Sequence, residues 1–161
     1  MTIRTATPAD LPALAAAEAA CFPPAEAASE AVLAGRLAVY PNHFWLLEKD
    51  GVLVSFINGM VTDEPVLRDE LYADPTLHRE DGAWQMIFGV DTLPPYRKQG
   101  YAARVMARVI DDARAQGRRG CVLTCKVELL HYYETFGFLN EGVSESTHGG
   151  ALWYAMRLTF S

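Results

Sequence analysis

The chain has 161 residues, half of them hydrophobic and 21% charged, which excludes disorder, collagen and coiled coil and leaves room for about one core. Twenty acidic against fourteen basic residues give a net charge of −6. A field of that sign repels phosphate backbones, so nucleic acid is excluded as an expected partner.

Residues 2–6 read as a short edge strand, and no apolar run of the signal-peptide kind accompanies them. Thr7-Pro8-Ala9-Asp10 is a helix start, with a threonine cap, proline at the first position and a carboxylate in the first turn. The alanine-rich run that follows stops at Cys21-Phe22-Pro23-Pro24, because proline removes donors and restricts the residue before it. A second helix is predicted over 26–39, with Ala31, Leu33, Leu37 and Ala38 on its inner face. Residues 43–48 and 52–60 form a hairpin about Asp50-Gly51. The apolar stretch 52–61 is interrupted by Ser55, Asn58 and Gly59 and is too short to span a bilayer.

From 62 to 81 the chain is polar and holds two prolines, a long connection of the kind that is functional or mobile. Residues 84–91 read as a strand interrupted by Gly89, where a bulge or a close backbone approach is expected. Residues 93–99 form a loop, and Gly100 opens a helix to about 116 that buries Val105, Met106, Val109, Ile110 and Ala113. A strand over 119–125, a short helix over 129–136 and two further strands, 138–143 and 152–160, complete a mixed α/β order. Cys121 and Cys125 lie on one strand face and read, like Cys21, as free thiols in a reducing cytoplasm. Four scattered histidines lack the ligand spacing of a structural zinc site, so no metal is expected. The chain reads as a cytoplasmic protein, a monomer or homodimer with no membrane partner.

The segment richest in chemistry is Arg97-Lys98-Gln99-Gly100-Tyr101-Ala102, set between a strand and a helix. Glycine and alanine allow a sharp bend and a close approach, and the free N–H groups at the positive end of a helix suit a phosphate. No Gly-Lys-Ser/Thr follows and three-glycine spacing is absent, so neither a Walker loop nor a dinucleotide fingerprint is present. About thirty residues on stands Tyr132-Tyr133-Glu134-Thr135-Phe136-Gly137-Phe138. These two segments, in this order, resemble the GNAT superfamily of acyl-CoA-dependent N-acetyltransferases, and Ile3 to Asp10 is similar to its usual first strand and helix.

The resemblance covers essentially the whole chain. It implies one domain over 1–161, with a twisted mixed sheet of about seven strands, about four flanking helices and a V-shaped acyl-CoA cleft. It further implies acetyl-CoA as acyl donor and a primary amine, of a small molecule, as acceptor, by direct transfer in a ternary complex; an acyl-CoA-binding sensor domain without turnover, or a protein or peptide N-acetyltransferase, is the alternative. Phe88, Val90 and Thr92 would meet the pantetheine arm, and Arg97, Lys98, Gln99, Gly100, Tyr101, Ala102 and Ala103 the pyrophosphate. An amide near Gly89 or Val90 would polarise the thioester carbonyl, and Tyr133 matches the family's general acid. The pattern most resembles the arylalkylamine N-acetyltransferase group, through Cys21 to Pro24, the segment at Leu77-His78-Arg79, and Tyr132-Tyr133-Glu134. That group carries two strand histidines where this chain has Met86 and Phe88, so its histidine relay is absent in that form. Phe22, Pro23 and Met86 are candidate acceptor contacts. Asp63, Glu64 and Asp91 could accept a proton through water but are read as solvated loop carboxylates, and His131 as a surface residue.

Overall fold

The computed structural model describes residues 1–161. Thr2–Thr5 forms β1. The Asp10 carboxylate accepts the Thr7 N–H at 2.8 Å and both ends of the Arg4 guanidinium at 2.9 and 2.7 Å, fixing a 3-10 turn at Pro8–Asp10. That turn runs into α1, Leu11–Cys21, which Phe22 leaves in extended geometry before the two prolines. The second helix, α2, is Glu30–Val39, four residues shorter at its start than expected. Its cap is Ser29, whose hydroxyl accepts the Val32 N–H at 3.2 Å. Its inner face also differs: Leu33 and Leu37 are buried as expected, but Arg36 joins them, while Ala31 and Ala38 are exposed.

β2 (Phe44–Lys49) and β3 (Val52–Asn58) make the expected hairpin. Asp50 and Gly51 both take positive φ, 52° and 76°, the geometry that matches the twist of the flanking strands. The polar connection is not structureless. It carries β4 (Val61–Thr62) and α3 (Asp69–Ala73). The next strand is two: β5 (Trp84–Ile87) and β6 (Gly89–Thr92), parted at Phe88. α4 (Tyr101–Ala115), β7 (Gly120–Cys125), α5 (Leu130–Glu134), β8 (Leu139–Val143) and β9 (Tyr154–Thr159) complete the chain. Along α4, Val105, Met106, Val109 and Ala113 are buried, and Ile110 only partly.

The fold is a mixed α+β arrangement, but its nine strands form two sheets rather than one central sheet of seven. The chain divides into two compact units, residues 1–59 with 89–109, and residues 60–88 with 110–161. The first unit holds the antiparallel sheet β1-β2-β3-β6, with α1 and α2 supplying Leu14, Ala17, Leu33 and Leu37 to its core. The second holds the sheet β4-β5-β7-β9-β8, in which β5 and β7 run parallel and the other pairs antiparallel. Gly120 is required there: a Cβ would lie 1.9 Å from the Leu158 carbonyl oxygen. Cys121 and Cys125 are buried free thiols, pushed by burial up to about 12 and about 11. No helix is long and apolar enough to cross a membrane.

Candidate functional site

In the first unit, β6 is an edge strand with β3 as its sheet neighbour. The Leu93 N–H donates to the Val54 carbonyl at 3.0 Å, which sets the phase of the ladder. Antiparallel alternation then turns the main chain of Asp91 and Gly89 toward β3 and that of Val90 and Thr92 toward the open edge. The outward Thr92 carbonyl accepts from Arg97 Nε at 3.0 Å and from the Cys21 thiol at 3.3 Å. An exposed row of donors and acceptors on an edge is a template for one more extended chain. Val90 and Thr92, both named from sequence, hold the outward positions and are half-buried; the Thr92 carbonyl is already engaged, so the main chain of Val90 is the part of this edge that stays open.

Residues 97–100 are all exposed and lie in the same unit. Lys98, at φ 62°, is a non-glycine residue in the left-handed region, and Gly100 follows at 81°. Such backbone costs about 1–2 kcal/mol at a residue bearing a Cβ and concentrates at functional turns. The first intrahelical bond of α4 is Arg104 N–H to Gly100 carbonyl, at 3.2 Å. The N–H groups of Tyr101, Ala102 and Ala103 therefore have no acceptor within the helix and face its positive end. Nothing lies within 4 Å of a Cβ built on Gly100, so the space beside this residue is open. Tyr101 is held by Lys49, whose Nζ donates to its hydroxyl at 3.2 Å. The expected residues come together here in one turn at the start of α4, exposed from Arg97 to Gly100.

The second unit holds Tyr133, 6% exposed on α5, with Tyr132 and Phe138 edge-on at 5.1 and 6.2 Å. Tyr132 is half-buried and His131 exposed, as adjacent helix positions require. Phe88 is half-buried, tilted on Tyr72 at 4.6 Å; the Tyr72 hydroxyl and the Thr124 hydroxyl are hydrogen-bonded at 2.9 Å. The polar connection thus contributes a ring, supplied by α3. Met86 has no exposed surface, whereas Phe22 is half-buried and Pro23 exposed in the first unit.

The carboxylates divide differently from expectation. Asp63 accepts the Ala83 N–H at 3.1 Å, and Glu64 pairs with Arg68 at 2.9 Å. Asp91 is not a solvated loop residue: it lies on β6, 1% exposed. Its burial follows from strand alternation, which places it opposite Phe56 on the face covered by α1. Glu18, Arg36 and Asn58, all buried in the same unit, were missed from sequence. A lone charge in an alanine-rich helix face was the available signal for Glu18.

Comparison with known proteins agrees with this fold. No curated protein matches the chain. Among solved structures, it is similar to the GphF GNAT-like decarboxylase in complex with isobutyryl-CoA, with TM-score 0.86, 22% identity and 99% of each chain covered. The loading GNATL domain of CurA from Lyngbya majuscula gives 0.84 at 18% identity, over 98% of this chain and 96% of that one. The ribosomal-protein-S18-alanine N-acetyltransferase from Escherichia coli gives 0.74 at 20% identity, over 99% and 94%. The narrower likeness to the arylalkylamine group gains no support from these structures. A family model, that of the acetyltransferase (GNAT) family, matches residues 11–138. With that model matched over most of its length, the chain belongs to the GNAT acetyltransferase family.

Proposed function

We propose that the protein transfers an acetyl group from acetyl-CoA to a primary amine of a small molecule, directly, within a ternary complex. The observation that carries this reading lies within one unit: the outward strand edge at Val90 is followed along the chain by the N–H groups after Gly100 that have no acceptor within the helix. The edge fits the amide-bearing pantetheine arm as an added strand, with Phe88 beside it. The turn of Arg97, Lys98, Gln99, Gly100, Tyr101, Ala102 and Ala103 fits the pyrophosphate, by dipole, open backbone donors and two cations. Phe22 and Pro23 are the proposed acceptor contacts; Met86, wholly buried, drops out of that set.

The chemistry then needs a neutral amine, a donor for the tetrahedral oxyanion and a proton for the departing thiolate. The outward N–H of Val90 is the proposed oxyanion donor. Tyr133 is the proposed acid. A thiol of reference pKa about 8.5 can leave as thiolate, so this acid accelerates the step without being indispensable. The test is a thiol-release screen with acetyl-CoA against amine, polyamine, amino-acid and peptide panels. Turnover confined to small primary amines supports the reading. Turnover confined to peptides replaces the acceptor class, and acetyl-CoA binding without turnover on any panel makes the chain an acyl-CoA sensor.

A second reading is acyl-CoA decarboxylation, favoured by the apolar Phe88 at a position where the resemblance would put part of an amine-deprotonating relay. A dry wall speeds loss of carbon dioxide from a malonyl-type thioester and has no amine to deprotonate. Release of carbon dioxide from malonyl-CoA, without any amine present, distinguishes it.

A further inference from the structure

A set of buried polar groups beneath β6 has no part in the chemistry above. Asp91 on β6 is 1% exposed, Glu18 on α1 5% and Asn58 on β3 0%, all in the first unit. Glu18 Oε1, Asn58 Nδ2 and both Asp91 carboxyl oxygens are sealed from solvent and have no hydrogen-bond partner. Three of them face one point beside Gly89: a Cβ built there would lie 3.1 Å from Asp91 Oδ1, 3.3 Å from Asn58 Nδ2 and 3.7 Å from Glu18 Oε1. The other end of the Glu18 carboxylate is engaged, because Oε2 accepts the Ala28 N–H at 2.9 Å. Residues 22–29, between α1 and α2, form neither helix nor strand, so this bond ties a loop to the buried cluster.

Buried polar atoms are costly without partners, and two carboxylates sealed from water at this range cannot both stay ionised. One proton relieves both costs, since a protonated Asp91 can donate its O–H to Glu18 Oε1. Burial first, then the Glu18 charge and a hydrogen bond to Glu18, hold Asp91 well above the ordinary carboxylate value. The Cys21 thiol, also on α1, acts in the same direction, and Arg36 on α2 opposes it. Arg36 Nη1 donates to Asn58 Oδ1 on β3 at 3.0 Å, and Asn58 is itself neutral. Burial holds the Cys21 thiol above its ordinary value against the charge of Arg97, which follows β6.

We propose that Asp91 and Glu18 form a pH-sensitive latch on residues 22–29, closed while Asp91 carries the proton. Closed, the Glu18 carboxylate is held at both ends, by the Asp91 O–H and by the Ala28 N–H. When the Asp91 O–H bond breaks and the proton passes to solvent, two buried negative charges face each other with one donor, Asn58 Nδ2, nearby. Asp91 is fixed by its pairing opposite Phe56, whereas Glu18 stands in the last turn of α1. Relief therefore comes from Glu18 swinging toward water, which takes Oε2 away from Ala28. A proton held above its ordinary value stabilises at low pH and loses that effect as pH rises through the raised value, so the latch opens on the alkaline side. The loop carries Phe22 and Pro23, so the effect on acceptor binding rests on the acetyltransferase reading, while the latch itself does not.

The test is amide hydrogen exchange at Ala28 in the whole protein as pH rises from 6 to 9, corrected for the intrinsic rate. Wild-type protection should fall by up to about tenfold per pH unit once pH passes the raised value of Asp91. Asp91→Asn keeps a donor for Glu18 Oε1 and titrates nothing, so its Ala28 should stay protected throughout. Glu18→Gln still accepts from Ala28 and can donate to an ionised Asp91; it should behave alike, and carries the test if Asp91→Asn fails to fold. Constant protection in wild type, or the same fall in the variant, overturns the latch. With an accepted amine, the ratio of wild-type to Asp91→Asn KM, in which the amine's own ionisation cancels, should rise over the same range. The KM for acetyl-CoA should not change. A flat ratio overturns the link to the acceptor. If wild type binds acetyl-CoA and acetylates no amine, the acetyltransferase reading falls and that link with it, while Ala28 exchange still decides the latch.

Discussion

Replacing Gly100 with valine separates the cost of bending the anion turn from the loss of its ligand. Gly100 has φ 81° and no atom within 4 Å of a built Cβ, so valine meets no clash and pays only for left-handed backbone. That cost is about 1–2 kcal/mol for a residue with a Cβ, and β-branching places valine at the upper end. For a chain of this size each kcal/mol moves Tm by about 2–4 °C, so the unliganded variant should melt about 2–8 °C lower. Acetyl-CoA at about a hundredfold excess over Kd should stabilise wild type by about 2.7 kcal/mol, or about 5–11 °C. Valine drives φ toward negative values, turns the following N–H groups aside and stands before them. The ligand-induced rise should therefore vanish. Differential scanning calorimetry with and without acetyl-CoA reads both effects. An equal rise in variant and wild type would refute the assignment of this turn to the pyrophosphate, and no rise in wild type at millimolar ligand would remove the cofactor site altogether.

Lys98→Gly should have the opposite signature, raising the unliganded melting point by about 1 kcal/mol of relieved strain while weakening acetyl-CoA through the lost charge. Tyr133→Phe should lower kcat about 100-fold with an accepted amine and leave acetyl-CoA affinity unchanged, with Tyr132→Phe near silent; equal rates for Tyr133→Phe and wild type exclude the acid role. Asp91 is held above its ordinary value, so the stability tied to its proton is complete below the ordinary carboxylate value of about 4 and lost as pH rises through the raised one. Urea midpoints of wild type should thus fall with rising pH relative to Asp91→Asn; parallel curves defeat the assignment. Gly120→Ala should destabilise by about 3 kcal/mol or prevent folding, because the Leu158 backbone must move from 1.9 Å, and a wild-type urea midpoint would contradict the strand spacing. Native thiol titration at pH 8 should leave Cys121 and Cys125 unreacted, all three thiols appearing after unfolding.

Much of this molecule is local in origin and was legible before any tertiary contact was known. Asp50-Gly51 specifies its turn because both residues tolerate positive φ. Thr7, Pro8 and Asp10 specify a helix entry through donors and a fixed φ within four residues. The stripe of α4 and the glycine–alanine turn before it are properties of one short stretch, and they sufficed to place the exposed turn at the start of that helix. Other features depend on what lies across space. The strand from Trp84 breaks at Phe88 because its two halves pair with different neighbours, β7 and β3, and no residue within the strand records that choice. α2 begins at Glu30 because Ser29 can cap it, although the residues from Glu26 onward are also fit for a helix. Arg36 is buried because Asn58, twenty-two positions away, accepts from it. Asp91 resembles any polar residue near a loop until strand alternation turns it onto the face beneath α1, where Glu18 already lies. Spacing and propensity set the elements and the turn, since those energies act between near neighbours. Only the packed chain sets which charged groups lose their water, because desolvation depends on every atom that closes over them.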